Sequence, residues 1–338
     1  MVYVVNTCGW GNFGADCYVG ALRKHLEEVW PSSKVAINRE DPVPFLPEEQ
    51  AAVVLGGGGI LYHHIHNGQT DNLKHFLRYA AVMQAFGKPT FALSLGVQGP
   101  LKSDDLKPYL EILNAMTLRT VRDARSAEVL RNAGVSGPII ESADLSYLIE
   151  IPARPPREAG QRPILGVAAS QPMKGIAHPE YPGFEGRVLD ALKDLQHEFE
   201  IRFYSFDQRS DGVIAAAWTG AQSCSVYNAS SVDAVSSFLA SIGQSDLFLT
   251  TRLHGVTLCA RMGLPFVSIG EPGEKVDRET RVLEHSLHIP YSATAASITE
   301  TVRAAWANRA EIRKNLGSTV PRRERLARAT LEALHACN

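Results

Sequence analysis

Arginine and histidine stand two residues apart at Arg252 and His254, in the run TTRLHGVTLCARMGLPFVSIG (250–270). They follow an apolar segment, DLFLTT (246–251), that reads as a strand, and they open an apolar segment that reads as a helix. Side chains so placed stand at the carboxyl end of a strand beside a helix N-terminus, where open α/β sheets bind anions and run chemistry. An arginine presents a fixed fork to a carboxylate or phosphate. A histidine exchanges protons near neutral pH. The pair points to group transfer from an anionic donor, against the plainer reading of a surface arginine and a buried, satisfied histidine.

Three glycine-rich strand ends accompany this motif. CGWGNFGAD (8–16) has glycines at Gly9, Gly11 and Gly14, the spacing of a dinucleotide fingerprint in a strand-to-helix context. The second strand ends INRED, without a clean acidic partner for a ribose, so nicotinamide binding is not favoured. Gly11, Asn12, Gly14 and Asp16 are instead candidate cleft or acceptor residues. VVLGGGGILYHHIH (53–66) bares its backbone at Gly58 and Gly59, and Tyr62 is placed to stack on a sugar ring. His63, His64 and His66 lack an acidic companion, so a polar cleft wall is preferred to a metal site, with His63 a candidate acceptor contact. SLGVQGPL (94–101) adds Gly96 to the same edge. Arg122 and Asp123, ending LRTVRD (118–123), read as a charged pair and helix cap. Asp144 lies in ESADLSYLI (141–149), leaving the first half of the chain.

Strands and helices must alternate to position these ends. Apolar runs at 2–7, 34–38, 51–57, 89–97 and 118–123 read as buried strands. Amphipathic segments at 15–30, 72–87, 104–116 and 126–134 read as helices between them; Val19, Leu22, Leu26 and Val29 share one helical face. Segment 151–163 carries Pro152, Pro155, Pro156 and Pro163 with no apolar period, which reads as a stiff linker. The plan then repeats, with strands at 164–170, 200–206, 224–229, 246–251 and 265–270 and helices at 185–199, 232–244, after Arg252 and at 322–336. The expectation is two Rossmann-like α/β domains facing a cleft: 1–150 on the acceptor side, a linker at 151–163, 164–315 with the donor site, and a C-terminal helix in 316–338.

Composition narrows the classes. A chain of 338 residues, 45% hydrophobic and 21% charged, suits a soluble globular enzyme. A formal charge of -2 argues against a nucleic-acid surface. Five cysteines without a C-x-x-C pair suggest neither a disulfide framework nor a thiolate metal site. The chain opens directly on MVYVVNT and has no apolar run approaching about 18 residues, so neither a leader nor a transmembrane segment is expected. The expected compartment is the cytoplasm, with room for peripheral attachment to the inner face of the cell membrane and for a homo-oligomer.

In order along the chain, GNFGAD, LGGGGILY, LSLGVQGPL, TVRDARSAEVLRNAGV with ESADLSYLI, and TTRLHGVTLCARMGLPFVSI resemble the motifs of the polysaccharide pyruvyl transferases. The likeness spans residues 2–281. It implies a two-domain fold like that of the GT-B glycosyltransferases. It also implies transfer of the enolpyruvyl unit of phosphoenolpyruvate onto two hydroxyls of a sugar in an exopolysaccharide or its precursor, lipid-linked or not. The product is a pyruvyl ketal, phosphate leaves, and no cofactor or metal takes part. Carried over residue by residue, Arg252 would bind the donor and His254 would be the general acid. Lys275, in GEPGEKV, matches a family lysine on the donor side. The family often has an arginine after the first strand of its second domain; here Ser170 and Gln171 stand there, and Lys174 is the nearest cation. Two other readings remain: a nucleotide-sugar glycosyltransferase of similar shape, served by Glu271, and a non-catalytic carbohydrate-binding homologue.

Overall fold

The structure is a computed structural model, and it describes residues 1–6, 11–37, 45–62, 72–98, 101–154, 160–170, 181–207, 211–218, 223–228 and 234–337. Strands β1 (Val2–Val5), β2 (Val35–Ile37), β3 (Ala52–Leu61), β4 (Thr90–Val97), β5 (Leu118–Val121) and β6 (Ile140–Glu141) form one sheet. Its order is β2-β1-β3-β4-β5-β6, with every pair parallel. Strands β7 (Ile164–Ala168), β8 (Glu200–Ser205), β9 (Ser223–Val226), β10 (Leu247–Thr250), β11 (Phe266–Ile269) and β12 (His288–Ile289) form the second. Its order is β12-β11-β10-β7-β8-β9, again all parallel. Central strands such as VYVV and LFLT are buried at every position, because helices cover both faces of a parallel sheet.

Several elements differ from the sequence expectation. The glycine run does not end β3: the strand continues to Leu61, with Gly57 and Gly58 at φ 48° and 71° and a register shift against β4 between Gly58 and Leu61. Glycine allows this bulge because a left-handed backbone costs it little. The helix expected over 104–116 is broken into Ser103–Leu106, a tight turn at Lys107–Tyr109, and Leu110–Asn114. Pro108 sits in that turn and cannot donate to a continuous helix. At the C-terminus, one helix runs over Arg309–Ala336 and carries Pro321 inside it. Strands β6 and β12 and helices Gly212–Ala217, Lys275–Val282 and Ala295–Ala307 were not anticipated.

Phe13, at the start of the helix Phe13–Val29, joins the two halves. Its ring is fully buried, with Phe206, Tyr227 and Phe238 of the second half at centroid distances of 5.2, 4.9 and 4.6 Å. Burying such a ring contributes about 1.5–3 kcal/mol. Its backbone N–H also donates to Phe206 O at 2.8 Å. Beside it, Asn12 caps the helix by accepting from Ala15 N, and its amide donates to Asp207 at 3.4 Å. The C-terminal helix makes a second tie by returning to the first sheet. There the Thr330 hydroxyl lies 2.6 Å from that of Ser142 and 3.2 Å from that of Thr120. Among the described residues, no helix is long and apolar enough to cross a membrane.

Candidate active site

The site collects at the carboxyl ends of both sheets. From the first half come Gly59 in β3, Gln98 after β4, Arg122 after β5 and Asp144 after β6; from the second come Arg252 and His254 after β10 and Lys275 after β11. Strand β10 ends at Thr250, and Arg252 then stands at the N-cap position of the helix Leu253–Arg261 without a side-chain capping bond. Thr250 fixes the turn: its hydroxyl accepts from Arg252 N at 3.0 Å and donates to Ala168 O at 3.1 Å. Gly255 completes it, since a Cβ there would lie 2.2 Å from the same hydroxyl oxygen.

His254 is thereby presented to the first half. Its ring rests on Gly14, where a Cβ would come within 1.8 Å of Nδ1. Its Nε2 is buried and faces Asp144 Oδ2 at 3.7 Å. That separation exceeds a hydrogen bond, so the interaction is electrostatic. Burial alone would raise the Asp144 carboxyl. The interaction with His254, the charge of Arg122 and the N–H of Ser146 outweigh burial and hold the carboxyl well below the usual carboxylate range.

A cationic array lies beside this pair: Arg122 shares Asp144 with the imidazole, and Arg122, Arg252 and Arg278 all act on the charge of Lys275. Arg252 pairs through Nη2 with the buried Asp211, whose other oxygen accepts from Phe206 N at 2.8 Å and Asp207 N at 3.0 Å. Arg122 is buried beneath Gly96, with Nη1 3.6 Å from Asp144 and Nε 3.6 Å from Asp123. Arg278 reaches Asp123 at 3.3 Å. Burial would raise the Asp123 carboxyl, but Arg122, Arg278 and Ser126 overcome it and lower it. Lys275 donates to Gln98 Oε1 at 2.8 Å, and the Gln98 amide donates to Gly59 O, so the lysine and the glycine strand are linked across the cleft. The Lys275 ammonium is pushed down to about 7, first by burial and then by Arg122 and Arg252, against Glu274. Its side chain is nevertheless exposed. Water there weakens the burial contribution, and the neighbouring guanidiniums are the firmer cause.

The other residues singled out from sequence are placed in different ways. Gly14, Gly59 and Gly96 lie at the cleft, but the room they leave is filled by His254, Gln98 and Arg122. Gly58, at φ 71°, has nothing within 4 Å of where a Cβ would stand, and Gly11 also has positive φ, at 73°. Tyr62 is half-buried just beyond β3. Asp16 is buried and accepts from Tyr227 OH at 2.7 Å, which ties the halves. His63 and Lys174 lie outside the described residues, and so does Gln171. Asp123 does cap the helix Ala124–Ala133, accepting from Ser126 N at 2.8 Å. Its neighbour Arg122, read from sequence as half of a structural pair, belongs to the cationic array. Sequence reasoning also missed Asp144 as a neighbour of His254, and Gln98, Asp211 and Arg278 altogether. Beyond lying in the family-like segments, the signal for Arg122, Asp144 and Gln98 is position just past a strand. Among the described residues, no three His, Cys, Asp or Glu side chains gather as metal ligands.

Residues 12–272 match the polysaccharide pyruvyl transferase family. A comparison with curated protein sequences finds no match. Solved structures of similar fold include a Listeria monocytogenes protein assigned as a UDP-N-acetylglucosamine 2-epimerase, with a TM-score of 0.61 at 10% identity, over 98% of this chain and 95% of that one. Anabaena HepE in complex with UDP-glucose has a TM-score of 0.61 at 10% identity, over 99% of each chain. S. aureus MnaA with UDP has a TM-score of 0.52 at 10% identity, over 93% and 90%. These likenesses establish the two-domain α/β architecture of the GT-B glycosyltransferases and epimerases.

Proposed function

This chain belongs to the polysaccharide pyruvyl transferase family, and from that membership we propose that it moves the enolpyruvyl group of phosphoenolpyruvate onto a sugar of a polysaccharide or its precursor, forming a pyruvyl ketal and releasing phosphate. The observation that carries this reading is His254, sharing Asp144 with Arg122 where the two sheets meet, beside a cationic array in which Arg122, Arg252 and Arg278 act on Lys275. Phosphoenolpyruvate carries a carboxylate and a phosphate, and an array of cations matches that pair of anions. In this reading Arg252 offers its fork to one anionic group and Lys275 a point charge to the other. Arg122 and Arg278 supply the cationic charge that the residues at Ser170 and Gln171 lack.

His254 serves as the general acid. Its proton passes to the donor methylene carbon, which becomes a methyl group, and the adjacent carbon gains oxocarbenium character. One acceptor hydroxyl adds there. Phosphate then leaves, and the second hydroxyl closes the ketal as its proton passes to the departing phosphate. Gly58, with open space where a Cβ would stand, and Tyr62, just past β3, are assigned to the side from which the sugar approaches.

The test is phosphate release from phosphoenolpyruvate in the presence of a panel of sugar acceptors. Acceptor-dependent release that is lost in His254→Ala, with the thermal transition unchanged, supports the reading. Full activity in His254→Ala removes the assigned acid. Thermal stabilisation by a UDP-sugar and none by phosphoenolpyruvate would replace the reading with nucleotide-sugar transfer.

A further inference from the structure

We propose that Asp144 is a positioning residue for His254: its carboxylate, backed by Arg122, fixes the imidazole by Nε2 and leaves Nδ1, over Gly14, to deliver the proton. The inference rests on the assignment of His254 as the acid and adds the group that aims it.

Three buried polar atoms converge here without a hydrogen-bond partner: His254 Nε2, Asp144 Oδ2 and Arg122 Nη2. Stranding such groups is costly, and native structures seldom leave several together without a purpose. They do not face empty space. His254 Nε2 lies 3.7 Å from Asp144 Oδ2, and Arg122 Nη1 lies 3.6 Å from the same oxygen. A shift of roughly 0.8 Å would bring the imidazole into hydrogen-bond range, and catalytic contacts are often this long before substrate binds.

Asp144 is built to hold one orientation. Its Oδ1 accepts from Ser146 N at 3.0 Å, capping the turn Leu145–Leu148, so Oδ2 is the oxygen left for His254 and Arg122. The carboxylate is 1% exposed and stays ionised, as its lowered pKa also indicates. A fixed, ionised carboxylate beside a ring nitrogen selects the tautomer with the proton on that nitrogen and stabilises the ring when it carries both protons. Nδ1 is then the nitrogen that works. Gly14 gives it room, because a Cβ at that position would come within 1.8 Å of it and displace the ring.

In the forward step the Nδ1–H bond breaks and a C–H bond forms at the donor methylene, with the N–H electron pair returning to the ring. The acceptor hydroxyl loses its proton as its oxygen bonds to the adjacent carbon, and that proton restores Nδ1. Asp144 gains no proton at any stage. Asp144, Arg122 and Gly14 come from the first half and His254 from the second, so the acid is aimed only where the halves meet.

The test has two arms. In the kinetic arm, Asp144→Asn keeps the shape and the Ser146 contact but removes the charge. It should lower kcat by about 10²- to 10⁴-fold while changing the donor KM less than about threefold, with Asp144→Glu restoring part of the loss. In a His254→Gln background the same change should cost less than about threefold, because partners that act as a unit are non-additive. Equal losses in both backgrounds would overturn the proposal. The spectroscopic arm needs no turnover. Nitrogen-15 NMR of labelled histidine in the unaltered protein should show the neutral His254 ring protonated at Nε2, with the other tautomer appearing in Asp144→Asn. A ring protonated at Nδ1 in the unaltered protein would also overturn it. If no acceptor supports phosphate release, the proposed reaction fails, and this arm still decides the pairing.

Discussion

Gly14→Ala separates the needs of the fold from those of the chemistry. Gly14 is the second residue of the helix Phe13–Val29, and its φ is not in the left-handed region, so alanine fits the backbone there. The new Cβ would stand 1.8 Å from His254 Nδ1, 2.3 Å from Cε1 and 2.4 Å from Cγ. The imidazole must therefore retreat by roughly 1.6 Å to reach ordinary contact at about 3.4 Å. The clash reaches Cγ as well as the ring edge, so the ring must move as a body, and such overpacking costs about 1–3 kcal/mol. Replacing glycine by alanine within a helix returns about 1 kcal/mol. The two partly cancel, and the unfolding free energy should fall by no more than about 2 kcal/mol.

Catalysis should respond quite differently. A displacement near 1 Å costs on the order of 10²-fold in rate when reacting groups must be aligned, and this one also breaks the approach of Nε2 to Asp144. The assay is acceptor-dependent phosphate release alongside urea denaturation. The expected outcome is a fall in kcat of at least about 10²-fold with only a modest drop in the denaturation midpoint and a fully folded protein in the absence of urea. Wild-type turnover in Gly14→Ala would refute the placement of His254 on this glycine. A rate loss that merely tracks a loss of stability would refute the claim that the position serves alignment.

Other perturbations test the remaining parts. Arg252→Lys keeps a charge but loses the fork, and should raise the donor KM by about tenfold or more; an unchanged KM would remove Arg252 from donor binding. Arg323→Met leaves the buried Glu279 without its cation, though Tyr147 OH still donates to it at 2.7 Å. It should destabilise the chain by about 3–5 kcal/mol in denaturant titration, and a loss below about 1 kcal/mol would show that the pair is not desolvated. Lys275, pushed down to about 7, binds its proton less readily when folded than at its ordinary 10.5. Between those values the unfolded chain holds more protons, so unfolding free energy should rise with pH over that window relative to Lys275→Met. The donor KM should also rise above pH 7 as the ammonium is lost; a pH-independent difference between the two proteins would contradict the lowered pKa.

Much of the fold could be read from sequence, because buried parallel strands are short apolar runs and their covering helices are amphipathic. Strands β6 and β12, of two residues each, are too short to show any period. The helix Lys275–Val282 escaped because KVDRETRV has no apolar stripe, although Val276, Asp277, Glu279 and Thr280 are all buried. At the site, the spacing of Gly14, Gly59 and Gly96 was legible, but their occupants were not. A glycine signals close approach without saying whether a ligand or a side chain approaches. His254, Gln98 and Arg122 lie far from those glycines in sequence, and only the facing of two sheets brings them together. Asp144 was hidden for the same reason: a buried aspartate past a two-residue strand looks like a cap, which it also is.

Like charges so close need protein anions to hold them until a donor arrives, and the carboxylates here suit that task. Arg252 is held by Asp211, and Arg122 and Arg278 meet at Asp123. A donor that claims Arg252 would free Asp211 Oδ1, yet Asp211 Oδ2 keeps its bonds from Phe206 N and Asp207 N. A buried carboxylate that retains two backbone donors is left far less exposed to the desolvation penalty than a bare one. The exchange therefore costs less than breaking an isolated buried pair, and a doubly anionic donor, reaching more than one cation at once, is the ligand best able to drive it. A singly charged anion would gain one new contact and forfeit one ion pair, so the array favours a donor with two separated anionic groups over a simple carboxylate.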